Sequence, residues 1–103
     1  MKRSESKWKA LGRNCEETAR ILKALAHPQR LQLLCHLAEG DKTVGELEEL
    51  CGASQSVVSQ FLGRMKSEGL VASEKEGLFV RYRISDSRIL QTIQALHGIY
   101  VDE

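Results

Sequence analysis

The stretch from Thr43 to Leu70, TVGELEELCGASQSVVSQFLGRMKSEGL, constrains the fold of this chain more than any other. It holds two helical patterns with a short break between them. Thr43 followed three residues later by Glu46 is a capping box, which marks a helix start, and this helix should end near Cys51-Gly52. Ser54 is a good N-cap for the second helix, and Gly69 supplies the left-handed residue that stops it. Two short helices joined by a turn of about 3–4 residues form a helix-turn-helix unit. In that unit the second helix lies in the major groove of DNA, with its N-terminal residues at base edges. Here those residues are Ser54, Gln55, Ser56, Ser59 and Gln60, with no acid among them. Gln pairs with adenine and Ser with several bases, so the stretch is expected to read duplex DNA.

The remaining periodicities arrange themselves around this unit. A chain of 103 residues is most simply one domain. Residues 1–13 form a basic N-terminal arm, in which Lys2, Arg3, Lys7, Lys9 and Arg13 stand against Glu5 alone. It is expected to be solvated and partly irregular, with Trp8 and Leu11 available to dock. Residues 14–103 make the domain proper. Its first helix runs from about Asn14 to Ala26, opened by a capping box of Asn14 and Glu17, with Cys15, Ala19, Leu22 and Ala26 on one stripe beside Ile21 and Leu25. Pro28 starts a second helix that ends at Glu39, where Leu31, Leu34, Cys35 and Ala38 form a core face widened by Leu33 and Leu37. In the next two helices the inward residues are Val44, Leu47, Leu50 and Cys51, then Val57, Val58, Phe61, Leu62 and Met65.

After Gly69 the period changes from helical to strand-like. Leu70 to Glu74 and Leu78 to Ile84 flank a turn at Lys75-Glu76-Gly77, which makes a β-hairpin with Arg81 and Arg83 on one face. A hairpin directly after the reading helix is a wing. A last helix, about Ser87 to Tyr100, carries Ile89, Ile93, Leu96 and Tyr100 on one stripe. Its apolar face is broader than one small domain needs to cover, which points to a homodimer formed through the first and last helices. The expected fold is mainly α with a small β-hairpin, in the order α-α-α-α-β-β-α.

The order and motifs resemble the ArsR/SmtB family of bacterial winged-helix repressors. The resemblance rests on Leu25 to Leu31 (LAHPQRL), Val44 to Leu47, Ser54 to Leu62, Glu68 to Val71 and the wing from Gly77 to Ile84. It implies a homodimer that binds a pseudo-palindromic operator and leaves it when an inducer is sensed. Within the family the sequence is similar to the HlyU/BigR-type branch, which senses thiol oxidation or persulfide. Cys35 in its Leu33-Leu34-Cys35 context and the ending Leu96-His97-Gly98-Ile99-Tyr100 carry that likeness. The branch pairs this cysteine with a second one just after the terminal tyrosine; here Val101 stands in that place. The metal-sensing branches fit less well. Thr43 and Gly45 fall where an arsenic-type Cys-x-Cys would lie, and Asp86 is followed by Arg88 where a zinc site needs histidine.

Residue by residue, Arg64, Lys75 and Arg81 are expected to hold DNA phosphates. Cys35, and with it Cys15, is a candidate sensing thiol, although a cysteine on a core stripe can equally be packing. A thiophilic-metal site from Cys15, Cys35 and Cys51 is the alternative, without support from spacing. No resident metal or cofactor is expected. With a net charge of only +1 and an acidic wing tip at Glu74 and Glu76, a winged-helix module that binds protein is a further reading. An enzyme is not expected, because neither a nucleophile–base arrangement nor a phosphate loop is present. Three cysteines without CxxC spacing suit reduced thiols. No apolar run reaches membrane-spanning length and the charged start lacks a signal-like apolar region, so the expected location is cytoplasmic.

Overall fold

The computed structural model describes residues 6–101. In chain order the elements are α1 (Lys7–Arg13), α2 (Cys15–Leu25), α3 (Pro28–Glu39), β1 (Lys42–Thr43), α4 (Val44–Cys51), α5 (Gln55–Ser67), β2 (Val71–Glu76), β3 (Phe79–Ile84) and α6 (Ser87–Tyr100). The three strands form one antiparallel sheet in the order β1-β3-β2. Helices α2 to α6 surround a single core in which Leu34, Leu47, Leu62, Met65, Leu70 and Ile89 are fully buried. Burying a side chain of this size contributes about 1.5–3 kcal/mol relative to exposure.

Four expectations need correction. Residues 7–13 are helical rather than irregular: Ser6 caps them by accepting a hydrogen bond from the Lys9 N–H at 3.1 Å. The first residues of the arm lie outside the described region. Asn14 does not form a capping box with Glu17. Its side-chain amide donates back to the Ala10 carbonyl at 3.2 Å, while Glu17 accepts from Arg20 and Arg88. The wing turn is Gly77-Leu78, since β2 continues through Glu76 to pair with Phe79. Gly77 has φ 61°, as the two-residue hairpin turn with one left-handed residue first demands. Finally, β1 was not expected. Two residues are too short to show a period, and only their pairing with Tyr82 and Arg81 of β3 defines them.

The hydrophobic stripes also divide differently. On α2, Ile21, Ala24 and Leu25 are buried, whereas Cys15 and Leu22 face outward. On α3, Leu33, Leu34 and Leu37 enter the core, Leu31 and Ala38 are half-buried, and Cys35 is exposed. Leu50 of α4 is exposed as well.

Candidate nucleic-acid interface

The reading helix is fixed in rotation by its buried side. Val58, Leu62 and Met65 occupy the core, and Val57 and Phe61 are half-buried beside them. Helical geometry then turns Gln55, Ser56, Ser59, Gln60, Gly63 and Arg64 outward. The side chains of Gln55, Ser56, Ser59 and Gln60 make no hydrogen bond among the described residues, so their donors and acceptors are unspent. Ser54 differs: its Oγ accepts from the Val57 N–H at 3.3 Å, which makes it the cap that starts the helix. No acid lies in the first turn, and the positive end of the helix dipole is therefore unopposed there. At the other end Gly69, with φ 79°, turns the chain into the wing.

Helix α4 holds α5 from behind. The capping box is complete: the Thr43 N–H donates to Glu46 Oε1 at 2.7 Å, and Thr43 Oγ1 accepts from the Glu46 N–H at 3.2 Å. The Thr43 backbone hydrogen bond holds the Glu46 carboxyl below the usual carboxylate range.

The wing does not bring its expected contacts together. Lys75 lies opposite Val80 and Arg81 opposite Glu74. Because side chains alternate along a strand, Lys75 and Arg81 point to opposite faces of the hairpin. Arg81 is moreover engaged inside the subunit, 3.3 Å from Glu76 and 3.8 Å from Glu46. Arg83 shares its face, is exposed and has no ion pair among the described residues. The tip is apolar, with Leu78 96% and Phe79 64% exposed. Gly63, which the sequence pattern did not single out, is open on the outward face of α5. A Cβ added there meets nothing within 4 Å.

The cysteines occupy three separate places. Cys35 opens into a groove of about 610 Å³ between α3 and α6, lined with Leu31, Ala38, Leu96, Tyr100 and Val101. Burial, helped by the Glu39 charge, pushes its thiol up. Cys51 is half-buried at the end of α4, where burial raises its thiol too, and Cys15 is exposed at the start of α2. Among the described residues no three His, Cys, Asp or Glu side chains are grouped so as to hold a metal ion. Within one subunit the trio of Cys15, Cys35 and Cys51 is therefore not assembled.

Residues 27–73 match the family described as bacterial regulatory protein, arsR family. The chain is 38% identical over 88 residues to the transcriptional activator HlyU of Vibrio cholerae, covering 85% of this chain and 82% of that protein. The chain belongs to the ArsR family. Its fold is that of the transcriptional repressor BigR from Xylella fastidiosa, with a TM-score of 0.88 at 34% identity, over 95% of this chain and 100% of that one. It also matches a homodimeric winged helix-turn-helix DNA-binding domain from Mycobacterium bovis, a possible ArsR-family regulator, with a TM-score of 0.72 at 31% identity, over 95% and 89% of the two chains. As an ArsR-family member the chain is a transcriptional regulator with a winged helix-turn-helix, similar to the HlyU and BigR branch. Among the described residues no helix is long and apolar enough to cross a membrane.

Proposed function

We propose that this protein is a homodimeric repressor that binds a pseudo-palindromic operator, each subunit placing the N-terminal half of α5 in a major groove. The observation that carries this is the outward face of α5, where Gln55, Ser56, Ser59 and Gln60 are exposed with unspent hydrogen-bonding groups on a helix that its other side locks in place. Arg64 is exposed at the end of this face and meets a phosphate; Lys75 does so from the wing. Arg81, tied to Glu76 and Glu46, orders the wing and reaches a phosphate only by sharing those carboxylates. Two-fold symmetry sets half-sites about 10–10.5 bp apart or a multiple of it. The second copy covers the apolar surface that one subunit leaves open on α1, α2 and α6, including Trp8 (71% exposed), Leu11, Leu22 and Tyr100 (78% exposed). The M. bovis neighbour described as homodimeric supports that arrangement.

The test is Ser56→Glu. A carboxylate in the groove face should abolish duplex binding in an anisotropy titration while the circular dichroism spectrum and the dimer mass stay those of the parent. Operator affinity equal to the parent's would remove α5 as the reading helix.

The signal belongs with Cys35 and reactive sulfur or redox chemistry. Cys35 is the thiol placed where α3 meets α6 and is open to the groove there. With Val101 in place of a second cysteine, its modified form is a capped thiol or a bond between subunits rather than a bridge within one chain. A thiophilic-metal response would likewise need the subunits of a dimer to bring thiols together. The apolar wing tip that follows Glu74 and Glu76 favours one other reading, a winged helix that binds protein through Leu78 and Phe79. Retention on heparin that is lost as salt rises separates the two, because only the DNA reading requires it.

A further inference from the structure

One side of α5 borders a cleft of about 470 Å³, which lies between α2, the start of α3 and the second half of α5. Four cationic side chains, Arg20, Lys23, Arg30 and Arg64, line it against one carboxylate, Glu68. A chain whose net charge is only +1 thus concentrates positive charge at one place beside its reading helix. The four cations are not equivalent. Arg30 is nearly buried and bound to Glu68 at 3.3 Å and to the Ala24 carbonyl at 3.5 Å. Arg20 is held by Glu17 at 2.9 Å. These two build the wall. Lys23 and Arg64 have no side-chain partner among the described residues and stand free at the rim, on opposite sides of the cleft. The His27 and Phe61 rings, 4.9 Å apart, also line it.

We infer that this cleft is a second DNA contact, in which Lys23 and Arg64 grip a backbone phosphate of the strand flanking the groove that α5 reads. The inference rests on the DNA-binding reading and extends it to α2. Gln60 and Arg64 are one helical turn apart on α5, so base-reading face and cleft are continuous. A strand that borders the groove beside Gln60 passes Arg64 next, and Lys23 faces it across the opening. Free cations close to a groove-reading surface and without internal carboxylate partners are the groups that exchange counterions for phosphates. They add affinity and register but no sequence preference.

The experiment is the salt dependence of binding to random-sequence duplex DNA between about 50 and 200 mM salt. The parent chain is compared with Lys23→Gln. Lys23→Gln should lower the slope of log K against log salt by ~0.9 for each phosphate that is no longer neutralised, hence about twice that per homodimer. Melting temperature should be unchanged, since Lys23 has no partner to lose. A slope equal to the parent's in Lys23→Gln overturns the inference while leaving α5 as the reader. So does tight binding of inorganic phosphate or pyrophosphate that Lys23→Gln abolishes, because the cleft would then be a small-anion site. A parent protein that binds no duplex would instead bring down the DNA-binding reading itself.

Discussion

Replacing Gly63 by alanine should make the protein more stable and weaken its grip on DNA. Glycine inside a helix is less favourable than alanine by about 0.8–1 kcal/mol, chiefly through the backbone entropy lost on folding. In many helices that cost offsets a close contact. Here it offsets nothing inside the subunit: Gly63 lies within α5, its φ is not in the left-handed region, and a Cβ would meet no atom within 4 Å. Gly63→Ala should therefore recover most of the propensity difference. For a domain of this size about 1 kcal/mol corresponds to a rise in melting temperature of about 4–8 °C. Melts of parent and variant must be taken at equal protein concentration, because dimerisation couples stability to concentration. The same methyl group projects from the face proposed to enter the major groove, one turn beyond Ser59 and Gln60, so duplex affinity should fall as stability rises. A lower melting temperature would refute the reasoning about the helix. A more stable variant with unchanged affinity would take Gly63 out of the interface.

Two further outcomes follow from the hydrogen-bond geometry. Thr43→Ala removes the side-chain half of the α4 capping box and should cost about 1 kcal/mol, within a range of about 0.5–2; chemical denaturation measures it, and no loss would show that Glu46 alone suffices. The pH dependence rests on Glu17, whose carboxyl is held at about 2 instead of 4.5 by hydrogen bonds from Arg20 and then Arg88, and on Asp86, lowered by Arg88. A depressed carboxylate gives stability that is present above its unfolded value and lost as pH falls through its folded value. Stability should thus decline as pH drops from about 4.5 towards about 2, less so in high salt because these groups are exposed. Glu17→Gln should flatten that decline, and an unchanged acid profile would exclude the Glu17 network as its source.

How much of the fold and of the site was legible in the sequence depended on the range of the interaction. The α4–α5 unit was readable because its signals are local: Thr43 and Glu46, Ser54 and Gly69 each act within one turn of chain. Asn14 and Glu17 have the same spacing as a capping box, yet Glu17 is drawn off by Arg20 and by Arg88, 71 residues away. Local spacing cannot register a competitor that only the fold delivers. β1 and the engagement of Arg81 escaped for the same reason, since both depend on β3 lying beside the start of α4. The cleft at Lys23 left no trace either, as its cations come from three helices.

The stripe on α3 shows a different limit. Leu31, Leu34, Cys35 and Ala38 recur at helical spacing and would all be core if the subunit were the unit of folding. Only Leu34 is fully buried; Cys35 is exposed, and Leu31 and Ala38 border the groove against α6. Leu22 and Tyr100 repeat the pattern on the outer helices. Hydrophobic periodicity reports what is buried in the working assembly, and in the proposed homodimer the surplus over the subunit core is surface for a second copy. Cys35 lies within that surplus. Covering the groove would desolvate the thiol further and disfavour the thiolate that reacts, so any chemistry at Cys35 is coupled to how closely the two subunits meet there. With the groove covered by a second copy, a polar group added to that sulfur would lie against Leu31, Leu96 and Tyr100, and its desolvation would cost free energy. In the proposed dimer such a modification would oppose close approach at this groove. In the proposed repressor that approach sets the distance between the two α5 helices, and so their fit to successive major grooves.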